Sequence, residues 1–471
     1  MSTSSTFAVA PRFAAAQALP TAHADETINA AGFLALAVVH MVLAHFVRGN
    51  DTLATVHASA TFFLALFLSA TRPIHIIPYA CAYIAGAEVM WRMSGAEVFW
   101  ESGKYAVALV LIIGILRTGA VGRPNASLLY FLLLVPSCFI PLLNPSVPWE
   151  WARQELSFNM SGPLVLMLAV WFFSSIQMSA IELIKTLLLL ITPILGTCFV
   201  TVRGVLTAGN IEWSDKSMRI ASSGYAPNQV STVLGLGAFL CLLAAILLAG
   251  RYRKLQLTLF ALALVCAAQA SLTFSRGGLY AAGVGTLGAG FFFLRSPGAR
   301  KQVLSAFVVI ALISAFVAVP ALNSFTGGKL GERFQETSTT GRTQLMNTEI
   351  QLWQMYPAFG VGPGKTGPVI SGLLETRPAA HTEFTRMLGE HGIFGLVAFV
   401  VILYMAIRFT VRAPSTQARA MVVGLGLWTA ATMMSSAMRL AAPGFILGLA
   451  AARFIMDDYA APRGGAVPGR A

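Results

Sequence analysis

Stretch after stretch of this chain runs roughly 17–20 residues without a charged side chain, enough to cross the hydrocarbon core of a bilayer. Backbone polar groups find no water there, so only α-helices or closed β-barrels can span it. Barrel strands alternate apolar and polar residues in period two, and these stretches do not. The chain therefore reads as an all-α polytopic integral membrane protein. Only 11% of its residues are charged, against about 25% in soluble domains. The apolar runs start near 28–47 and end near 441–456. Some are short enough to pair as broken or re-entrant helices, so the expectation is about 12 transmembrane helices, 12–14 at the limits.

Orientation follows from the short loops. Arg117 and Arg123 share one loop, and Arg251, Arg253 and Lys254 another. Arg295, Arg300 and Lys301 form a third, and Arg408, Arg412 and Arg419 a fourth. None holds a carboxylate, and alternating spans put all four on one side, which the positive-inside rule makes cytoplasmic. Residues 144–159, 201–228, the turn at 275–277 and a long polar loop over 322–390, expected to hold short amphipathic helices, then face the opposite, periplasmic side. The predicted organisation is a disordered cytoplasmic tail (1–27), one transmembrane domain (28–456) and a second cytoplasmic tail (457–471).

The net charge of +13 is spread over short loops and not gathered on a basic domain, which argues against nucleic acid as a partner. Cys81, Cys138, Cys198, Cys241 and Cys266 all sit in apolar stretches, as small packing residues would. No outward Asp-x-Asp pair or spaced histidines suggests a metal site, and no cofactor is expected.

The polar stretches hold the candidates. Arg276, in Leu272-Thr273-Phe274-Ser275-Arg276-Gly277-Gly278, sits where two apolar runs meet with almost no loop. An arginine at a membrane boundary either snorkels or pairs with an anion, and its planar fork fits phosphate. Its glycines would let backbone approach a ligand. Arg203 ends one run, as a phosphate ligand or an interface residue. Arg219 has Glu212 and Asp215 nearby, so a solvated ion pair competes with a binding role. Arg342 opens a predicted amphipathic helix running to Trp353. Gly360-Val361-Gly362-Pro363-Gly364 lacks P-loop spacing and reads as a turn. His381 lies just before the chain re-enters an apolar run. It is either a structural histidine or a base for a hydroxyl nucleophile, since imidazole titrates near neutrality. Charges inside the membrane, the mark of a transport pathway, look few: Glu88 and Glu182 lie near span ends.

At these residues the chain resembles the O-antigen ligase and polymerase superfamily. The matching pieces run in order from Glu155-Leu156-Ser157-Phe158-Asn159-Met160-Ser161-Gly162-Pro163 through Tyr225-Ala226-Pro227-Asn228-Gln229, Phe274-Ser275-Arg276-Gly277-Gly278 and Gly341-Arg342-Thr343. They continue with Pro357 and the 360–364 glycine run, then His381, Gly389 and Gly392-Ile393-Phe394-Gly395. The resemblance implies a membrane glycosyltransferase of the bacterial inner membrane, with its site facing the periplasm. It moves a glycan from undecaprenyl pyrophosphate to lipid A–core oligosaccharide, without metal and with inversion. It implies that His381 handles the acceptor hydroxyl, that Arg276 and Arg342 bind pyrophosphate, and that Arg203 or Arg219 adds to them. Implied partners are the lipid-linked donor, the lipid A–core acceptor and membrane lipids. A polymerase or a protein O-glycosylating ligase of the same superfamily, and a flippase of anionic lipids, are the alternatives.

Overall fold

The computed structural model describes residues 17–18, 27–122, 125–214, 216–248, 252–336, 342–366 and 382–456. His381, Arg123, Asp215, Arg251, Gly341 and most of both tails lie outside them. The described residues are overwhelmingly helical. The first helices are α1 (Ala30–Val47), α2 (Asp51–Thr71), α3 (Ile76–Met93), α4 (Ser102–Arg117), α5 (Ala126–Leu143), α6 (Trp149–Phe173) and α7 (Ala180–Thr207). Then come α8 (Pro227–Leu247), α9 (Arg253–Leu272), α10 (Arg276–Phe293), α11 (Arg300–Ile313) and α12 (Val319–Phe325). A π-turn at Ser314–Ala318 joins the last two into one span. Helices α13 (Lys329–Gln335) and α14 (Arg342–Met355) lie in the long polar segment. The chain ends with α15 (Glu383–Arg412), α16 (Thr416–Ser435) and α17 (Ala441–Ala450).

Among the described residues, nine helices are long and apolar enough to cross a membrane. Helices α3, α10 and α16 match them in length, but ion-pairing, glycine and hydroxyl residues dilute their apolarity. The fold is thus an all-α polytopic membrane bundle, as the apolar runs predict. Helices α7 and α8 are the most enclosed, while α1, α2 and α11–α12 show exposed apolar side chains such as Phe63, Phe67 and Phe316, as a lipid-facing ring does.

Helix starts follow ordinary capping chemistry. Asn29, Asn50, Ser179, Thr382 and Ser415 each accept an N–H of the turn they precede, and Ser179 and Glu182 form a reciprocal capping box. At one end of the bundle Arg117 donates to the Ser69 and Arg72 carbonyls at 2.6 Å, and Gln417 reaches Ser296 at 3.3 Å. There too, three short parallel strands pair in the order β1 (Gln17–Ala18), β2 (Ile176–Ser179), β3 (Arg453–Ile455). The polar segments gather at the other end. Arg48 donates to the Met93 carbonyl at 2.8 Å and to Ser223, and Met218 N–H to the Thr273 carbonyl at 2.9 Å. The Gln417–Ser296 bond brings the basic loops at 295–301 and 408–419 to the same end, as the alternation read from the basic loops expects of those two.

One boundary differs. The polar run 383–390, read from sequence as loop, forms the first two turns of α15. Its charges pair with one another, so the helix continues where hydropathy stops, and the polar segment runs from 326 to 382.

Candidate functional site

Around Arg276 the backbone is unusual. Phe274 has a φ of 56°, a left-handed conformation that costs a non-glycine residue of order 1–3 kcal/mol. It is held by burial, by Trp213 stacked at 5.6 Å, and by Arg333, whose Nε donates to its carbonyl at 3.1 Å. The kink turns the chain directly into α10, so Arg276 opens that helix at its positive end. Its Nη1 donates to the Glu336 carbonyl at 2.5 Å. Ser275 donates to Asn228 at 2.8 Å, which ties this turn to the start of α8.

The neighbouring glycines serve a different purpose from the one their flexibility suggests. A Cβ on Gly278 would lie 2.0 Å from the Ser231 carbonyl, and one on Gly235 2.2 Å from the Gly278 carbonyl. They let α8 and α10 touch backbone to backbone, as small residues do between membrane helices. The expected approach to a ligand at Gly278 is taken by the neighbouring helix.

The other sequence candidates divide. Arg203 and Arg219 have exposed side chains and flank the turn at 219–224, which Arg48 clasps through Ser223. The Met218–Thr273 bond joins that turn to the Arg276 segment, so the segments bearing Arg203, Arg219 and Arg276 adjoin. Arg342 opens α14 as predicted. The apolar side of α14 is not a lipid-facing surface: Leu345 and Leu352 bury against Val361, and the helix packs on α15. His381 precedes Thr382, the buried N-cap of α15.

The structure also assembles a charged network that sequence reading underrates. Arg386 is fully enclosed on the first turns of α15. Its guanidinium donates to Glu383 (2.5 and 3.1 Å), to Glu390 (2.5 Å) and to Asn159 (3.4 Å). Glu390 also accepts Gly364 N–H at 3.0 Å and the Thr366 hydroxyl at 3.1 Å, and Glu383 accepts Met438 N–H at 3.0 Å. A second buried pair, Glu88–Arg92 at 2.6 Å, joins α3 to the Arg439 carbonyl (3.0 Å), Gln229 (3.3 Å) and the α17 N-terminus, where Ala441 N–H donates to Glu88 at 2.7 Å. Internal charges are thus more numerous than the sequence count suggests, and these are paired. Their spacing, i,i+3 and i,i+4 along a helix, was the available signal. Glu349 of α14 accepts the Thr385 hydroxyl. Burial, with Glu390 adding to it, pushes its carboxyl up to about 7 against the pull of Thr385 and Arg386.

Helix α15 is broken at Gly392, whose φ of 60° no other residue adopts easily. The turn 357–364 fills the break: Ile393 N–H donates to the Pro357 carbonyl (2.8 Å), Val361 N–H to Gly389 (2.9 Å) and Gly362 N–H to Glu390 (3.0 Å). Gly364 lies flat on Glu155, where a Cβ would come within 2.5 Å of the carboxylate. Beside Glu155 opens a cavity of about 1140 Å³ between α4, α5 and α6, lined by residues 153–158 and by Phe99, Trp100 and Tyr105.

The architecture defines a polytopic membrane protein with a hydrogen-bonded cluster of polar segments at one end. Residues 261–400 match the family model described as O-antigen ligase, a match consistent with the O-antigen ligase and polymerase superfamily. The matched region holds the Phe274 kink, Arg276, α13, α14 and the first half of α15. A comparison with curated proteins gives no match.

Proposed function

We propose that the protein is a glycosyltransferase of the ligase type, joining an O-antigen glycan from undecaprenyl pyrophosphate to lipid A–core oligosaccharide on the periplasmic face of the inner membrane. The acceptor hydroxyl attacks the anomeric carbon, the bond from that carbon to phosphate oxygen breaks, and undecaprenyl pyrophosphate leaves. Arg276 and Arg342, with Arg203 or Arg219, stabilise the charge that grows on the leaving group. The N-termini of α8 and α10 add positive potential at the same end. His381 takes the hydroxyl proton. Two membrane-anchored substrates held side by side supply the proximity.

One observation carries this reading. Segments far apart in the chain meet at one end of the bundle: 155–163 and 357–364 bond directly to 382–395 (Asn159 with Arg386, Gly362 with Glu390), 225–229 bonds to 274–278 (Asn228 with Ser275), and Arg92 bridges the two groups through Gln229 and the Arg439 carbonyl, next to Met438, whose N–H donates to Glu383. A flippase reading has less support, because the buried clusters Glu88–Arg92 and Glu383–Arg386–Glu390 are consumed in ion pairs and do not line an open path. The test is reconstitution of the purified protein with undecaprenyl-pyrophosphate glycan and, separately, lipid A–core, a second glycan lipid, or an acceptor peptide. Glycosylated lipid A–core is the expected product. Elongated glycan lipid or glycopeptide, with untouched lipid A–core, would overturn the ligase assignment in favour of the polymerase or the protein ligase.

A further inference from the structure

The cavity between α4, α5 and α6 has a composition that separates it from the arginine cluster. At about 1140 Å³ it exceeds the roughly 300–1,000 Å³ typical of a drug-sized ligand site. Its mouth carries three aromatic rings, Phe99, Trp100 and Tyr105, and two carboxylates, Glu101 and Glu155. The one cation in its lining, Arg153, is bound to Glu150 at 3.0 Å. Lys104, whose Nζ donates to the Phe158 carbonyl of the lining at 3.1 Å, offsets a second carboxylate, so the wall's charges roughly cancel and it offers phosphate no cluster of cations. Phe99 and Trp100 are 60% and 45% exposed, and Trp100 is braced from behind by the Arg92 guanidinium, 4.7 Å from its ring. Tyr105 is held by Ser157 at 3.0 Å. Rigid rings beside carboxylate and amide groups suit the two sides of a sugar. The C–H face of a pyranose packs on an aromatic plane, and its hydroxyls donate to carboxylates.

We infer that this cavity binds an uncharged saccharide, several residues long, belonging to one of the two lipid-linked substrates. The inference rests on the glycosyl-transfer reading for the identity of that saccharide. It divides the labour at the site: phosphate goes to the arginines near α10, and sugar goes to the aromatic mouth beside Glu155. Through Glu155 and Asn159 the mouth adjoins the Arg386 network and the head of α15.

The test uses the full chain in nanodiscs and reads tryptophan fluorescence. The probes are lipid-free, dephosphorylated core oligosaccharide, lipid-free O-antigen oligosaccharide, inorganic pyrophosphate, and undecaprenyl phosphate without sugar. The expected result is saturable quenching by one of the two oligosaccharides, and which one identifies the source as acceptor or donor. Trp100→Phe should remove most of the signal. Phe99→Ala, at an exposed site that folding does not depend on, should weaken binding roughly tenfold. No quenching by either oligosaccharide, equal quenching by undecaprenyl phosphate, or displacement of the sugar by pyrophosphate overturns the proposal. Oligosaccharide binding without any transfer would keep this site and sink the ligase reading. Normal transfer by Phe99→Ala, with unchanged KM for donor and acceptor, would do the reverse.

Discussion

Replacing Arg386 by Met keeps an unbranched apolar stem and removes the charged guanidinium. Two carboxylates then remain in a space where the Arg386, Glu383 and Glu390 side chains are 3%, 0% and 3% exposed. Each keeps some donors, Met438 N–H for Glu383 and Gly364 N–H with Thr366 for Glu390, so neither is stripped bare. Removing one partner of a buried ion pair costs about 3–5 kcal/mol, because a charge is left uncompensated. A cation shared by two carboxylates belongs at the upper part of that range. The loss should appear as a clear fall in the unfolding temperature of the detergent-solubilised protein, followed by fluorescence-detected size exclusion. The triple variant Arg386→Met, Glu383→Gln, Glu390→Gln removes all three charges and should recover most of the loss, since neutral replacements of similar shape are close to neutral in buried ion networks. If Arg386→Met is as stable as the wild type, the enclosure described above is wrong. If the triple variant is no better than the single one, uncompensated charge is not the cause.

His381→Ala should lower transfer about 10²–10⁴-fold while leaving retention of the undecaprenyl-pyrophosphate donor near wild type; loss of donor retention with normal transfer at saturation would make the histidine a phosphate ligand. Arg276→Lys keeps the charge and loses the planar fork, so a large fall in transfer rate is expected from a protein that still folds, and wild-type activity would refute the phosphate role. Transfer should survive EDTA, and loss reversed by Mg²⁺ or Mn²⁺ would contradict a clamp built from arginines. Glu349 titrates near 7 in the folded protein, above its ordinary carboxylate range, so the native state holds that proton more tightly than the unfolded one. Its contribution to stability is complete below about pH 4.5 and is lost as pH rises to 7; Glu349→Gln should flatten the stability profile over that window, and an unchanged slope would show that another group is responsible.

Much of the fold was legible because the bilayer imposes coarse rules. Uncharged length marks spans and arginine content marks sides, and both survive averaging over a window. What was missed depends on pairing. Glu383, Arg386 and Glu390 lower the hydropathy of their window as if each faced water alone, yet one turn apart on a helix they satisfy each other, and α15 starts eight residues before the apolar run. Glu88 and Arg92 are the same case. The left-handed conformation at Phe274 had no signal either, because Thr-Phe-Ser-Arg contains no residue that favours it; the packed Trp213 and Arg333 impose it from a distance. The sequence marks Gly278 as a place where backbone could approach a ligand, and the fold fills that space with the backbone of α8 at Ser231. Arg203, Arg219, Arg276 and Arg342 were chosen by residue type, and the structure adds that the segments bearing the first three adjoin.

Surface loops usually tolerate insertion and deletion, and the turn at 357–364 will be read as one in any alignment of lengths. Its backbone nonetheless completes the hydrogen bonding of an interrupted membrane helix at Pro357, Val361 and Gly362. Adding or removing one residue there would strand polar groups of α15 at Gly389, Glu390 and Ile393 in surroundings that offer no water. In a library of insertions and deletions this turn should therefore behave as part of the hydrophobic core, with viable variants confined to its side chains and excluded from its length.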